Sequence, residues 1–229
     1  MHTSVTMATL LSKATIFDLP VYDVLFPRIF CYLDAWEVWR LRSVSTRLCR
    51  VCWKYFRSSL ATLCVDLTTQ ASGEDAMGSV LNRLTAAKEI ARVSTQLKKL
   101  TVHMASSMTH GVLGRGEIED LLNVVAYASP QLEQLCIANL ESMLFSPSVA
   151  QRLGQCCCQL KELVLWNVNP EGVSFDVVFQ NILYQPIATL IKLSLSTINF
   201  CEKDTLSKSV GKIPNLRKLT VRCMLGVLL

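Results

Sequence analysis

The stretch Leu160-Lys161-Glu162-Leu163-Val164-Leu165-Trp166 decides the fold of this 229-residue chain. Its leucines follow a Leu-x-x-Leu-x-Leu pattern. The last two are two residues apart, which puts them on one face of an extended strand. The pattern recurs. Leu97, Leu100 and Val102 carry it upstream, as do Leu132, Leu135 and Ile137; downstream stand Leu190, Leu193 and Leu195, then Leu216, Leu219 and Val221. Leu60, Leu63 and Val65 form a weaker first copy. The first leucines of successive copies fall 26 to 37 residues apart, a spacing that marks a repeat architecture.

Between the copies run segments whose apolar residues step by three and four, the helical period. Helices are predicted over 78–93, with Val80, Leu81, Leu84 and Ile90, and over 117–128, with Ile118, Leu121, Leu122 and Val125. Further ones are predicted around Val149 and Leu153, over 173–184 and over 206–210. Ser129-Pro130, Cys157-Cys158 and Ile213-Pro214 supply turn chemistry before strands. The two widest spacings contain polar or glycine-bearing stretches, 68–78 and 106–116, which read as inserted loops. One strand and one helix per repeat predicts an α/β fold: a short curved solenoid, parallel strands on its concave face and helices outside.

Strand alternation turns the motif leucines inward and the intervening residues to the concave side. That places Thr101 and His103, Cys136 and Ala138, Val164 and Trp166, Ser194 and Ser196, and Thr220 and Arg222 along one surface. Thr101, His103, Val164, Trp166, Ser194 and Arg222 are the candidate residues for holding a partner. Large aromatics dominate binding hot spots, so Trp166 is either such an anchor or a core residue screened by the neighbouring repeat. The last motif ends at Val221 and the chain stops in an apolar run, Met224 to Leu229. Solenoids normally close with a polar capping repeat. The expectation is a truncated or alternative form of a longer receptor, or an edge covered by a partner or by the tail.

These copies resemble leucine-rich repeats of the cysteine-containing class, whose pattern is Cys-Pro-x-Leu-x-x-Leu-x-Leu-x-x-Cys. Ser129-Pro130, Ile213-Pro214 and Cys157-Cys158 stand at the opening pair in three copies, and Leu140, Val168 or Ile198 stands for the closing cysteine. The resemblance covers residues 59–229 as about six repeats.

The N-terminal part is a different unit. From Phe17 it reads FDLPVYDVLFPRIFCYLDAWEVWRLRSVSTRLCRVCWKYF. Asp18 is placed to cap a helix entered through Pro20, and Pro27 to break or kink it. On a helical wheel Val21, Tyr22, Leu25, Phe26, Ile29, Phe30, Tyr32 and Leu33 cover an arc of about 180°, wider than docking on one small core requires. By composition the surplus is equally a partner-binding face or a face buried by the repeats.

Residues 16–58 resemble an F-box, the short helical module that binds the adaptor Skp1. Leu19-Pro20 matches its opening pair and Arg28 to Asp34 its middle block. Val38, Leu41, Val44 and Ser45 match later apolar and small positions, and Arg47 and Val51 its end. The span from Leu19 to Leu33 is two residues longer than the commonest form, and Leu48 stands where the family often has Trp. The resemblance implies that Leu19, Pro20, Leu25, Ile29, Phe30, Leu33, Val38, Leu41 and Val44 bind Skp1 or support the binding surface.

Composition bounds the alternatives. Hydrophobic residues make up 51% and charged residues 18%. The charged share of a globular domain is usually about a quarter, so this is no disordered chain; the balance permits a large core or surfaces covered by a partner. Net charge is a mild +5. Arg40, Arg42, Arg47, Arg50, Lys54 and Arg57 cluster with Trp36, Trp39, Trp53 and Tyr55. A nucleic-acid reader is one reading of this stretch and a basic face for an acidic partner another; no nucleic-acid partner is expected, because the F-box pattern already accounts for many of these positions. Neither an export signal nor a run of about 18 apolar residues is present, so a cytoplasmic or nuclear protein with no membrane partner is expected.

The ten cysteines then read as free thiols. Cys49-Arg50-Val51-Cys52 is the only C-x-x-C, and His2, His103 and His110 add no zinc spacing. No phosphate-binding, nucleophile-elbow or zinc-protease motif occurs, and neither metal nor cofactor is expected. An F-box joined to leucine-rich repeats implies a non-catalytic substrate receptor of an SCF-type ubiquitin ligase. Skp1 links it to a cullin while the repeats hold a protein target. Two other classes stand beside it: a Skp1-bound scaffold outside any ligase, and a thiol enzyme using Cys49 and Cys52.

Overall fold

Six parallel strands stack in chain order, each joined to the next through a helix, in the computed structural model of the chain. It describes residues 19–67, 74–104, 115–139, 146–168, 175–183, 188–196 and 204–222. Two compact units divide the chain, Met1–Ser59 and Leu60–Leu229.

The first unit is helical. Its described part opens on a π-wound turn, Val21–Leu25, in which the Val24 and Leu25 amides both donate to the Pro20 carbonyl at 3.0 Å. A single α-turn, Phe26–Arg28, and a 3₁₀ turn, Phe30–Tyr32, follow. The helix expected from Pro20 is therefore three short turns. Pro27 has no amide to donate and cannot sit inside regular α winding, and the wide turn before it absorbs the mismatch. The proposed cap at Asp18 lies outside the described residues.

Helix α1, Ala35–Leu41, starts at a reciprocal capping box. Asp34 accepts from the Glu37 amide at 2.6 Å, and Glu37 accepts from the Asp34 amide at 2.8 Å. Ser45 caps helix α2, Thr46–Ser58, accepting from the Leu48 amide at 3.1 Å. Two aromatic clusters fill the unit. Phe26, Phe30 and Tyr55 meet with centroids 5.2–5.8 Å apart, and Trp39, Trp53 and Phe56 with centroids 5.6–6.5 Å apart. Edge and stacked pairs of this kind add roughly 0.5–1.5 kcal/mol each beyond area burial.

The second unit alternates β1 (Thr62–Leu67), α3 (Glu74–Val93), β2 (Lys99–Met104), α4 (Arg115–Ala128), β3 (Gln134–Ala138) and α5 (Pro147–Cys156). It continues with β4 (Glu162–Trp166), α6 (Phe175–Ile182), β5 (Lys192–Ser196), α7 (Thr205–Val210) and β6 (Lys218–Arg222). Both inner motif positions run in register across the sheet. Leu63, Leu100, Leu135, Leu163, Leu193 and Leu219 form one ladder, and Val65, Val102, Ile137, Leu165, Leu195 and Val221 the other. The first five members of each ladder are buried, whereas Leu219 is 44% exposed and Val221 38%. A β-branched or leucine side chain stacked on its counterpart 4.7–4.9 Å away packs without a gap, which is why the pattern reproduces the register.

Consecutive helices pack against one another in chain order from α3 to α7, joined at the surface by Lys88 of α3 to Glu117 of α4 at 2.5 Å and Arg152 of α5 to Asn123 of α4 at 3.2 Å. Helices α3 and α4 begin at Glu74 and Arg115, before the predicted starts at 78 and 117. Gly78 and Gly116 thus sit inside helices, with nothing within 4 Å of an added Cβ. Each costs a helix about 1 kcal/mol against alanine, too little to stop it. The remainder of the two predicted loops lies outside the described residues.

Repeats are also fastened at their turns. The carbonyls of Ala61, Lys98, Glu133, Lys161 and Ile191, each just after a first motif leucine, accept two successive amides from the next repeat. The residue just before that leucine adds a side-chain latch. Gln131 donates to the Thr95 carbonyl, Thr189 to that of Cys158 at 3.1 Å and Asn215 to that of Ala188 at 2.6 Å. A polar residue stands there in five copies, Gln96, Gln131, Gln159, Thr189 and Asn215; that recurrence was the sequence signal for the latch.

Candidate functional site

The sheet leaves one face to the strand residues that alternate with the ladders. Three in-register rows cross it. Thr62, Lys99, Gln134, Glu162, Lys192 and Lys218 make the first; Cys64, Thr101, Cys136, Val164, Ser194 and Thr220 the second; Asp66, His103, Ala138, Trp166, Ser196 and Arg222 the third. All six candidate residues of the concave surface fall in the second and third rows. Thr101, His103, Val164 and Ser194 are half-buried, Arg222 is exposed, and Trp166 is 48% exposed. Its in-register neighbours, Ala138 and Ser196, are small, so the indole stands above them. Ala138, expected on the surface, is buried: its methyl group lies in register between His103 and Trp166, both longer.

Two features near this face went unread in the sequence. Asn139 and Asn167 follow β3 and β4 with positive φ, 59° and 52°, a conformation Asn adopts more readily than most residues. The Asn139 amide donates to the Trp166 carbonyl at 2.8 Å, the Asn167 amide to Ser196 at 2.8 Å, and Asn167 Nδ2 to Asn139 Oδ1 at 3.3 Å. This fixes the backbone on which Trp166 stands. At the other strand end Glu133 lies between Lys161 (2.9 Å) and Lys98 (3.7 Å). The hydrogen bond from Lys161, then the charges of both lysines, hold its carboxyl below the ordinary value of 4.5.

The nine expected Skp1-facing residues separate by burial. Leu25, Phe30 and Val38 lie in the helical unit's own core, so they can only support a surface and not form one. Ile29, Leu33 and Leu41 are half-buried; Leu19, Pro20 and Val44 are exposed, Val44 at 68%. Tyr32, at 82%, and Tyr22 are exposed too. The wide apolar arc thus divides within single turns: Leu25 is buried and Tyr22 exposed in the π turn, and Phe30 is buried and Tyr32 exposed in the 3₁₀ turn.

No protein-family model matches the chain, and no curated protein matches it. Among solved structures the chain is similar to a tropomodulin C-terminal domain from the structural genomics of Caenorhabditis elegans. The two are 16% identical, the likeness covers 72% of this chain and 91% of that one, and the TM-score is 0.48.

Two buried thiols are shifted away from the reactive form. Cys52 is buried, and burial first, then Cys49, pushes its thiol up to about 11. Burial pushes Cys157 up to about 12. Reactive cysteines need the opposite shift. Among the described residues no group of three or more His, Cys, Asp or Glu is placed to hold a metal ion, and no helix is long and apolar enough to cross a membrane.

Proposed function

We propose that this chain is a substrate-recognition subunit of an SCF-type ubiquitin ligase. Its helical unit would dock Skp1, and through Skp1 a cullin, while the open sheet face holds a protein target. The observation that carries the reading is the division of the chain between Ser59 and Leu60, next to where the F-box resemblance ends at 58. A helical unit with exposed apolar side chains precedes a repeat unit whose strand face carries the exposed Trp166. The chemistry asked of such a chain is positional. It raises the concentration of a target lysine beside a charged ubiquitin carrier.

Leu19 and Pro20 are exposed, so replacing both with Ala leaves the aromatic core of the unit in place. The L19A/P20A chain is expected to keep its circular dichroism spectrum and melting temperature and to lose Skp1 capture at least ten-fold in a pull-down. Undiminished capture sinks the F-box assignment. Cullin co-purification with the parent chain then separates a ligase receptor from a Skp1-bound scaffold.

A further inference from the structure

The helical unit carries a groove of about 590 Å³ lined by Val21, Tyr22, Arg47, Arg50, Val51, Trp53, Lys54, Arg57 and Ser58. None of these is among the nine residues assigned to Skp1. Arg47, Arg50, Lys54 and Arg57 advance along α2 by three, four and three residues, which sets them on one side of the helix. From Arg47 to Arg57 that stripe is about 15 Å long at the α-helical rise. Val21, Tyr22, Val51 and Trp53 supply an apolar lining, and among the described residues no acidic one lines the groove.

We infer that this groove binds an acidic peptide segment of a partner protein, with one aliphatic side chain seated on the apolar lining and flanking carboxylates on the basic stripe. Charge complementarity selects the sign of the occupant. Arg50 and Lys54, like charges four residues apart, work against the isolated helix, and an anionic ligand reverses that effect. The Arg side chains present planar forks suited to carboxylates. The aromatic geometry argues for a peptide over a single-stranded nucleic acid. Bases need free ring faces for stacking, whereas Lys54 Nζ stands 5.6 Å from the Tyr22 ring centroid and Trp53 is engaged with Trp39 and Phe56. The inference does not rest on the Skp1 reading.

The test uses the full chain and a fluorescein-labelled heptapeptide of three glutamates, one leucine and three glutamates, followed by fluorescence anisotropy. Saturable binding is expected at 50 mM salt, at least ten-fold weaker at 300 mM salt, since exposed charges are screened. Exchanging the leucine for glycine should weaken it several-fold. The double variant Arg50→Glu, Lys54→Glu should weaken it at least ten-fold. Tyr22→Ala, which leaves every cation in place and alters an exposed residue, should weaken it several-fold and serves if the charge reversal disturbs folding. L19A/P20A should bind the peptide as the parent does, whatever becomes of its Skp1 capture. Absence of saturable binding, indifference to these groove variants, loss in L19A/P20A, or tighter binding of a decathymidylate strand would each overturn the proposal.

Discussion

Glu133 shows how one residue of the repeat fastens two others. It sits at the position just after the first motif leucine, where the neighbouring copies carry Lys98 and Lys161, and its carboxylate reaches both. Its folded-state pKa lies below the ordinary carboxyl value, so the fold favours the ionised form. The stability this contributes is present above the unfolded value and is lost as pH falls through the folded one. We therefore expect Glu133→Gln to lower the urea midpoint slightly at pH 7. That difference from the parent should close between about pH 5 and pH 3, around the range where carboxyl groups titrate, and shrink in 1 M salt. A constant difference across that range would show that the effect of the substitution is not ionic. The pairing was not foreseen from the sequence, because it depends on which residues the parallel register sets side by side.

At the scale of an element, α5 is held by a single missing side chain. Gly154 is buried, and a Cβ built there would lie 2.4 Å from the Asn181 carbonyl oxygen and 3.1 Å from that of Ile182. These are backbone atoms of α6, which have no rotamer to escape through. The helices lie as near as they do because position 154 has no side chain. Gly154→Ala, although it raises helix propensity by roughly 1 kcal/mol, forces the two helices apart, and overpacking of this kind costs about 1–3 kcal/mol. A lower melting temperature is expected, and an unchanged or raised one would mean that the contact yields without cost. Apolar residues at helical steps predicted both helices; this contact could not be read, since a helical glycine carries no mark of what approaches it.

For the whole molecule, the proposed division of labour makes a separable prediction. Trp166 is 48% exposed and stands on a strand whose inward residues, Leu163 and Leu165, are buried. Removing its indole deletes surface and leaves the ladders intact. Trp166→Ala is expected to reduce the amounts of target proteins recovered with the chain from cells about ten-fold or more, the scale of a hot-spot loss of ~2 kcal/mol. Skp1 recovery and the melting temperature should be unchanged. A sharply lower melting temperature with recovery intact would place Trp166 in the core instead.

The sequence by itself determined the repeat. The Leu-x-x-Leu-x-Leu spacing is a property of single strands, and stacking equal strands in parallel brings equal residues together, so five of the six ladder positions in each row are buried as expected. The last pair, Leu219 and Val221, obeys the same pattern and is exposed, because burial requires cover that the pattern does not encode. Tertiary structure alone decided the rest. It wound the span around Pro27 into three turns and drew Leu25, Phe30 and Val38 inside while leaving Leu19, Pro20 and Val44 outside. It also brought Tyr22 beside Lys54 across more than thirty residues of chain. Periodicity records which face of one element is apolar; what that face meets depends on turn geometry and on contacts between residues distant in the chain.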